Sequence, residues 1–368
     1  KTCLTFLEEK KLELKLGLLP KRRYFPDENY FPKINLKLRN KLKLDKLKKK
    51  NIFEDLILYL VPLYLPAMAI ENFSFILKHT ENLSLQSKPR FILTSFNSFD
   101  NFLNFYISKK FSEKVPIIFL QHGNISSLDI KYKFTTENKI AKFLLTWGHK
   151  NYKKDVKLFN VNIMKYKIKK VKKDQIGVFC HPLRQHACFS DISQSLINEK
   201  KLNYTIQKLK KFDEKIKNKI HFNLFPGDEA VERNYFTKKI KKNGFKTFKS
   251  KNFYKIIDNT KINLFLYDST GIYESLALNI PTFAYFEDPL KTIIPKYKKT
   301  FKYLINSKIL FTDLDKLIYH LEKIWPNINE WWKSSTVQKN IKCFNNEVNI
   351  NSDNNVDKIA TKLRSLTS

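Results

Sequence analysis

Residues 262–286 read INLFLYDSTGIYESLALNIPTFAYF. The run begins with a short, mostly apolar stretch, Ile262–Tyr267, and turns polar over Asp268-Ser269-Thr270-Gly271. It then takes a helical pattern and returns, directly after Pro281, to a second apolar stretch, Thr282–Phe286. Strand, capped helix and Pro-led strand in that order predict one βαβ unit whose two strands run parallel and are covered on both faces. Ser, Thr and Gly at a helix start present backbone N–H groups and hydroxyls. The helix dipole adds positive potential, so this point can hold phosphate oxygens. Glu274 sits one turn further in, where a carboxylate can accept both hydroxyls of a ribose. Plain capping by Asp268 or Ser269 accounts for the same polar cluster without a ligand.

The alternation extends in both directions. Ile176–Cys180 (IGVFC) and Ile220–Phe225 (IHFNLF) read as strands before this unit, and Ile309–Phe311 as one after it. Leu202, Ile206, Leu209, Phe212 and Ile216, three or four apart, predict a helix begun at Asp191. Asp313 is expected to cap a helix with inner face Leu314, Leu317, Ile318, Leu321 and Ile324. Asp353 is expected to cap a last helix with Val356, Ile359, Ala360 and Leu363. Upstream of a lysine-dense link, Asn160–Asp174, three more strands are predicted at Phe91–Ser95, Val115–Leu120 and Phe143–Trp147, with a helical stretch around Phe102, Phe105 and Ile107. The expectation is an α/β chain of two tandem Rossmann-like domains. Residues 1–51 would be a basic leader or remnant, 52–165 the N-terminal, acceptor-side domain, 166–350 the C-terminal, donor-binding domain and 351–368 a C-terminal helix. Three strands are few for a Rossmann half, so the N-terminal half is expected to be incomplete. Leu56–Ile70 is almost wholly apolar, is broken by Pro62 and Pro66, and is too short to span a bilayer, which needs about 20 residues. It is expected as a buried helix–turn of the first domain, with a monotopic membrane foothold as the alternative.

The net charge is +34, from 69 basic against 35 acidic residues, and only seven of the basic residues are arginines. Lysine written wherever a positive charge suffices, beside many Asn, Ile and Phe, fits an AT-rich coding sequence. The charge also favours anionic partners: a membrane surface, nucleic acid or nucleotide phosphates. No helix-turn-helix, RNP-like aromatic pattern or zinc finger supports specific nucleic-acid binding. Cys3, Cys180, Cys188 and Cys343 show no disulfide framework, so a reducing cytoplasm is the default. Cys180-His181 and His186-x-Cys188 lack the second ligand pair of a zinc knuckle, and no metal or cofactor is expected.

In open parallel sheets ligands bind beyond the carboxyl ends of the strands, and the remaining candidates all lie there. Gln121-His122-Gly123 follows the strand at Val115–Leu120. The His122 imidazole can deprotonate an acceptor hydroxyl or bind a phosphate, with Gln121 and Gly123 on the acceptor side. Trp147 tops the next strand, able to stack on a base or sugar and equally able to fill the core. His181-Pro182-Leu183-Arg184 tops the first strand of the second series, where Arg184 can grip a phosphate bidentately and stabilise the leaving nucleotide. Pro226-Gly227-Asp228 tops the next; Asp228 orients a base or ribose, or serves only the turn. Trp325, Trp331 and Trp332 are expected between the domains.

The stretch DSTGIYESLALNIPTFAY resembles the donor-binding segment of GT-B glycosyltransferases. In order, IIFLQHGN, LLTWGHKN, FPGD and DSTGIYE resemble bacterial O-antigen and surface-carbohydrate transferases and the related polymerases that use CDP-glycerol; the likeness covers roughly residues 55–345. Two departures stand out. Asn124 replaces a second glycine after Gln-His-Gly, though Asn also adopts left-handed conformations. His221 and Asn223 stand where the family tends to have an arginine. The resemblance implies a metal-independent glycosyltransferase with a nucleotide-activated sugar as co-substrate and a glycan or lipid-linked glycan acceptor. It would act in the cytoplasm or peripherally on the inner membrane face, building a surface glycan. A glycerol-phosphate-type transferase and a non-catalytic GT-B binding module are the alternatives.

Overall fold

The computed structural model describes residues 2–18, 33–41, 51–65, 67–75, 77–78, 89–95, 113–123, 128–166, 174–180, 192–224, 230–250, 252–353 and 355–367. The chain opens with helices α1 (Phe6–Lys15), α2 (Leu36–Asn40) and α3 (Ile52–Tyr64). A four-stranded parallel sheet follows in the order β1 (Ile92–Thr94), β2 (Ile117–Leu120), β3 (Phe143–Thr146), β4 (Asp155–Lys157). Three of these strands lie where apolar runs predicted them. The fourth, Asp-Val-Lys, carries too little apolar character to be read from sequence.

The second sheet has six parallel strands: β5 (Ile176–Phe179), β6 (Ile220–Asn223), β7 (Lys246–Thr247), β8 (Ile262–Phe265), β9 (Thr282–Tyr285) and β10 (Leu310–Phe311). Their spatial order is β10-β9-β8-β5-β6-β7. Numbered within the sheet this is 3-2-1-4-5-6 read from β7, the Rossmann order, with the direction of winding reversing between β5 and β8. Helix α4 (Ile192–Leu209) precedes β6, α5 (Thr270–Ala277) links β8 to β9, and α6 (Leu314–Ile324) follows β10. The expected α/β class and two tandem parallel sheets, the second in Rossmann order, are therefore present.

Local signals explain most boundaries. The Asp313 carboxylate accepts from the backbone of Asp315 and Lys316, and Leu314, Leu317, Ile318 and Leu321 are buried beneath that cap. Leu202, Ile206 and Leu209 are buried along α4; Phe212 and Ile216 stay in the same core but lie past its end, where the chain turns at Asp213. The expected helix around 102–107 and the cap at Asp191 lie outside the described residues.

The structure departs from the expected layout at the N-terminus and at α3, and adds detail at the last helices and the link. Residues 4–12 are no leader, because Leu4 and Leu12 enter a core with Ile118, Leu120 and Leu145 of the first sheet. The last helices, α7 (Ser335–Val348) and α8 (Asn355–Thr367), divide: α7 packs on the second half, while Ile359, Ala360 and Leu363 of α8 cover the first sheet beside α1. The start of the lysine-dense link is structured: Asn160, Val161 and Ile163 are buried and 161–165 form a 3-10 turn. Moreover, α3 buries none of its residues, contrary to the buried helix–turn expected there.

The two halves are stitched together. Residues 128–130 pair antiparallel with 292–294 through Ile130 N–H to the Thr292 carbonyl (2.8 Å) and Ile294 N–H to the Leu128 carbonyl (2.9 Å). Leu128 and Trp147 of the first half join one core with Ile272, Tyr273 and Leu276 of the second. Trp331 and Trp332 sit within the second half instead of between the two. Trp331 stacks on Phe283 at 5.0 Å, and Trp332 Nε1 donates to Asn279 Oδ1 at 3.0 Å.

Candidate functional site

The winding reversal puts the carboxyl ends of β5 and β8 side by side, and Leu266 N–H donates to the Phe179 carbonyl at 3.0 Å to continue that pairing. From β8 the chain turns through Asp268 into α5. Ser269 is the N-cap, in an extended conformation, and its Oγ accepts from Gly271 N–H at 3.2 Å. The capping alternative is thus realised for Ser269, a contribution of about 1 kcal/mol. Gly271 is required by packing: a Cβ there would stand 2.8 Å from Phe265 and 2.9 Å from Phe253. The absence of a side chain lets α5 begin directly against β8. Asp268, Ser269 and Thr270 are half-buried at the lip, while every residue from Gly271 to Ala277 is buried.

The Gln121-His122-Gly123 loop at the end of β2 reaches this lip from the other sheet. A Cβ on Gly123 would lie 3.6 Å from Thr270 Oγ1. Asn162, in the 3-10 turn Val161–Lys165, joins the two sides: its Nδ2 donates to the His122 carbonyl (3.0 Å) and to Glu274 Oε1 (2.9 Å). The Asn162 carbonyl accepts from the Tyr254 hydroxyl at 2.8 Å. Tyr254 also hydrogen-bonds Glu274, and burial followed by that carboxylate's charge pushes its hydroxyl pKa up. Its ring stacks on Tyr166 at 4.8 Å, and the Tyr166 hydroxyl bonds Asp258. Glu274 is 7% exposed. It is braced from two sides as well as standing one turn behind the lip.

His122 is half-buried, and burial lowers its pKa below the usual 6.5; the Ser95 carbonyl, which accepts from its ring, offsets part of that. In the neutral tautomer with the proton toward Ser95, the other ring nitrogen carries the lone pair that a base needs.

Gln121 and Trp147 do not line an acceptor surface, correcting their expected place. Gln121 is buried, and its side chain brackets the loop: Nε2 donates to the Gly123 carbonyl (2.8 Å) and Oε1 accepts from Trp147 N–H (2.8 Å). Trp147 is 1% exposed and gives its Nε1–H to the Gln121 carbonyl at 2.9 Å, so its ring holds the loop from within the core. His181, Arg184 and Asp228 lie outside the described residues; Cys180, just before them, is buried. Asp313-Leu314-Asp315 also follows a strand as paired carboxylates, yet Asp313 is spent on the helix cap and Asp315 on Lys208.

The family match covers residues 2–363 of this chain. The chain is a LIC12162 family transferase. No curated protein sequence matches the transferase. Among solved structures it is similar to the wall teichoic acid polymerase TagF, at 13% identity over 74% of this chain and 71% of that one, with a TM-score of 0.40. Acinetobacter baumannii MurG shows 10% identity over 79% and 78% of the two chains, also at 0.40. Spinosyn rhamnosyltransferase SpnG shows 8% over 80% and 78%, again at 0.40. Likenesses this distant carry no argument about chemistry, which is left to the transferase's own residues.

Several residues that shape the site were not singled out in sequence: Asn162, Tyr254 and Tyr166 around Glu274, and an asparagine ladder behind it. Asn160 Nδ2 donates to Asn349 Oδ1 (2.9 Å), and Asn349 Nδ2 donates to the Tyr273 carbonyl (2.7 Å). The signal for Asn160 and Asn162 was their place around Val161 and before Ile163, polar residues alternating with apolar ones inside an apparent linker.

Proposed function

We propose that this transferase moves a sugar from a nucleotide-activated donor to a glycan or lipid-linked glycan acceptor. The donor phosphates sit at the start of α5, at Ser269, Thr270 and Gly271, with Asp268 at the rim. The ribose is read by Glu274, and His122 deprotonates the acceptor hydroxyl. His181, Arg184 and Asp228 belong to the same donor site in this reading, Arg184 carrying phosphate charge as the nucleotide leaves. No metal is assigned a step. Nucleotide-activated donors place the reaction in the cytoplasm, at its membrane face when the acceptor is lipid-linked.

The observation that carries the reading is the convergence at the winding reversal. The only histidine on the β2 loop and the start of α5 come from different sheets, yet Gly123 abuts Thr270 and one asparagine amide spans His122 and Glu274. A base from one sheet and a phosphate-ready helix start from the other, held in fixed relation, is what transfer between two bound substrates requires. Thermal-shift and native mass-spectrometric screening with CMP, CDP, UDP and GDP compounds tests it. A sugar nucleotide that stabilises the protein supports the reading. Stabilisation only by CDP-glycerol would move it to glycerol-phosphate transfer, and no response to any nucleotide would overturn it.

A further inference from the structure

We infer that α3 is an interfacial anchor that lies in the surface of an anionic lipid bilayer. The helix Ile52–Tyr64, IFEDLILYLVPLY, is apolar on nearly every side and buries no residue. A helix of that character is normally found inside a core or in lipid. Ile52, Leu56, Tyr59 and Leu63 follow one another at helical spacing and are 89%, 52%, 69% and 42% exposed, with Phe53 beside them at 69%. Among the described residues, none of these belongs to a core cluster.

The last turn of the helix is held by an ion pair whose side chains are buried. Arg39 of α2 pairs bidentately with Glu71, Nε to Oε1 at 2.7 Å and Nη2 to Oε2 at 2.9 Å, and its Nη1 donates to the Pro62 and Leu63 carbonyls, both at 3.0 Å. Arg39 thereby caps the last turn of α3 and ties α2, α3 and Glu71 into one unit. That geometry uses the planar fork of arginine, which accounts for an arginine here in a chain that mostly writes lysine.

The occupant follows from length and charge. Thirteen residues of helix reach about 20 Å, against about 30 Å for the hydrocarbon core of a bilayer, so α3 can lie along the surface and cannot cross it. None of the described helices is long and apolar enough to span a membrane. Lys33, Lys37 and Lys41 are exposed on the segment that Arg39 fastens to α3, and the chain carries +34 overall, which complements an anionic headgroup layer. Glu54 and Asp55 lie in the first turn, where they complement the helix dipole. Apolar burial plus lysine attraction is the combination that holds interfacial helices.

The inference needs nothing from the nucleotide reading, and vesicle flotation tests it on the whole chain. Vesicles of phosphatidylcholine with phosphatidylglycerol should float the protein, and pure phosphatidylcholine should do so far less. Part of the bound protein should stay bound near 1 M salt, where the Debye length is only about 3 Å. Phe53→Glu with Leu56→Glu should lower partitioning on the order of 100-fold, without moving the melting temperature. Lys37→Glu with Lys41→Glu should weaken binding at low salt and spare the salt-resistant part. Binding that is unchanged by the Phe53/Leu56 pair, or no binding to either vesicle, overturns the inference. So does a vesicle-free dimer that the same pair converts to monomer, because a second copy would then be what covers the face.

Discussion

Glu274 is where the donor reading is most exposed to test, and the structure changes how the test must be made. A ribose-reading carboxylate at the surface would be replaceable by alanine without harm to the fold. Glu274 is instead buried and accepts from Asn162 Nδ2 at 2.9 Å while also bonding Tyr254. Glu274→Ala leaves one Asn162 amide N–H without its acceptor, since the Tyr254 hydroxyl keeps the Asn162 carbonyl, at about 1–3 kcal/mol when the loss is not made good by water. At roughly 2–4 °C per kcal/mol for a domain of this size, the melting temperature should fall by several degrees. Lost nucleotide affinity in that variant would be ambiguous. Glu274→Gln resolves it, because the amide oxygen still accepts from Asn162 and the volume is conserved, while the charge is gone. A carboxylate holding ribose hydroxyls exceeds a neutral acceptor by about 1.4 kcal/mol, or about tenfold in affinity. Calorimetric titration with the nucleotide selected by screening, alongside melting curves, measures both quantities. Asn162→Ala completes the set: if Asn162 aims the carboxylate, donor affinity falls with stability. Wild-type affinity in Glu274→Gln, with melting lowered only in the alanine variants, would show that Glu274 braces the two halves and reads no ligand.

Further outcomes follow from neighbouring residues. Replacing His122 with Asn should reduce kcat by about 10²- to 10⁴-fold with little change in KM, as for a lost general base. Because burial depresses the His122 pKa, the acidic limb of kcat/KM should fall below pH 6.5, activity being lost as pH drops through that value; a limb at or above 6.5 contradicts the assignment. His149 is wholly buried, and burial, reinforced by Lys157 and Lys296, holds its pKa down to about 3. The unfolded chain therefore takes up the proton first. Its contribution to stability is complete above about pH 6.5 and declines below it by up to about 1.4 kcal/mol per pH unit. His149→Phe should flatten that acidic slope in urea melts, and an unchanged slope would clear His149 of the effect. Gly271→Ala drives a methyl against Phe265 and Phe253 and should cost about 1–3 kcal/mol by denaturant midpoint; a neutral result would mean α5 can draw back from β8.

What could be read in the sequence divides along a physical line. Strands buried on both faces announce themselves as apolar runs, which is why β2, β3, β5, β6, β8 and β9 were legible, and Asp313 with α6 was legible because a cap and a 3.6-residue period are local. The site's outline came from the same source, since strand ends locate the loops. Its interior did not. Asn162 matters only because the fold brings the His122 carbonyl and Glu274 within reach of one amide, 40 and 112 residues away along the chain. No composition or periodicity encodes such a meeting, and in a chain rich in Asn the residue type carries no weight. The same limit hid the pairing of α1 with α8, whose contacts join the two ends of the chain. It also inverted the reading of α3, because an apolar run states only that a helix avoids water. Whether protein or lipid supplies the alternative depends on what stands beside it, and beside α3 stands Arg39, which fastens the helix at its last turn and leaves its apolar face turned outward.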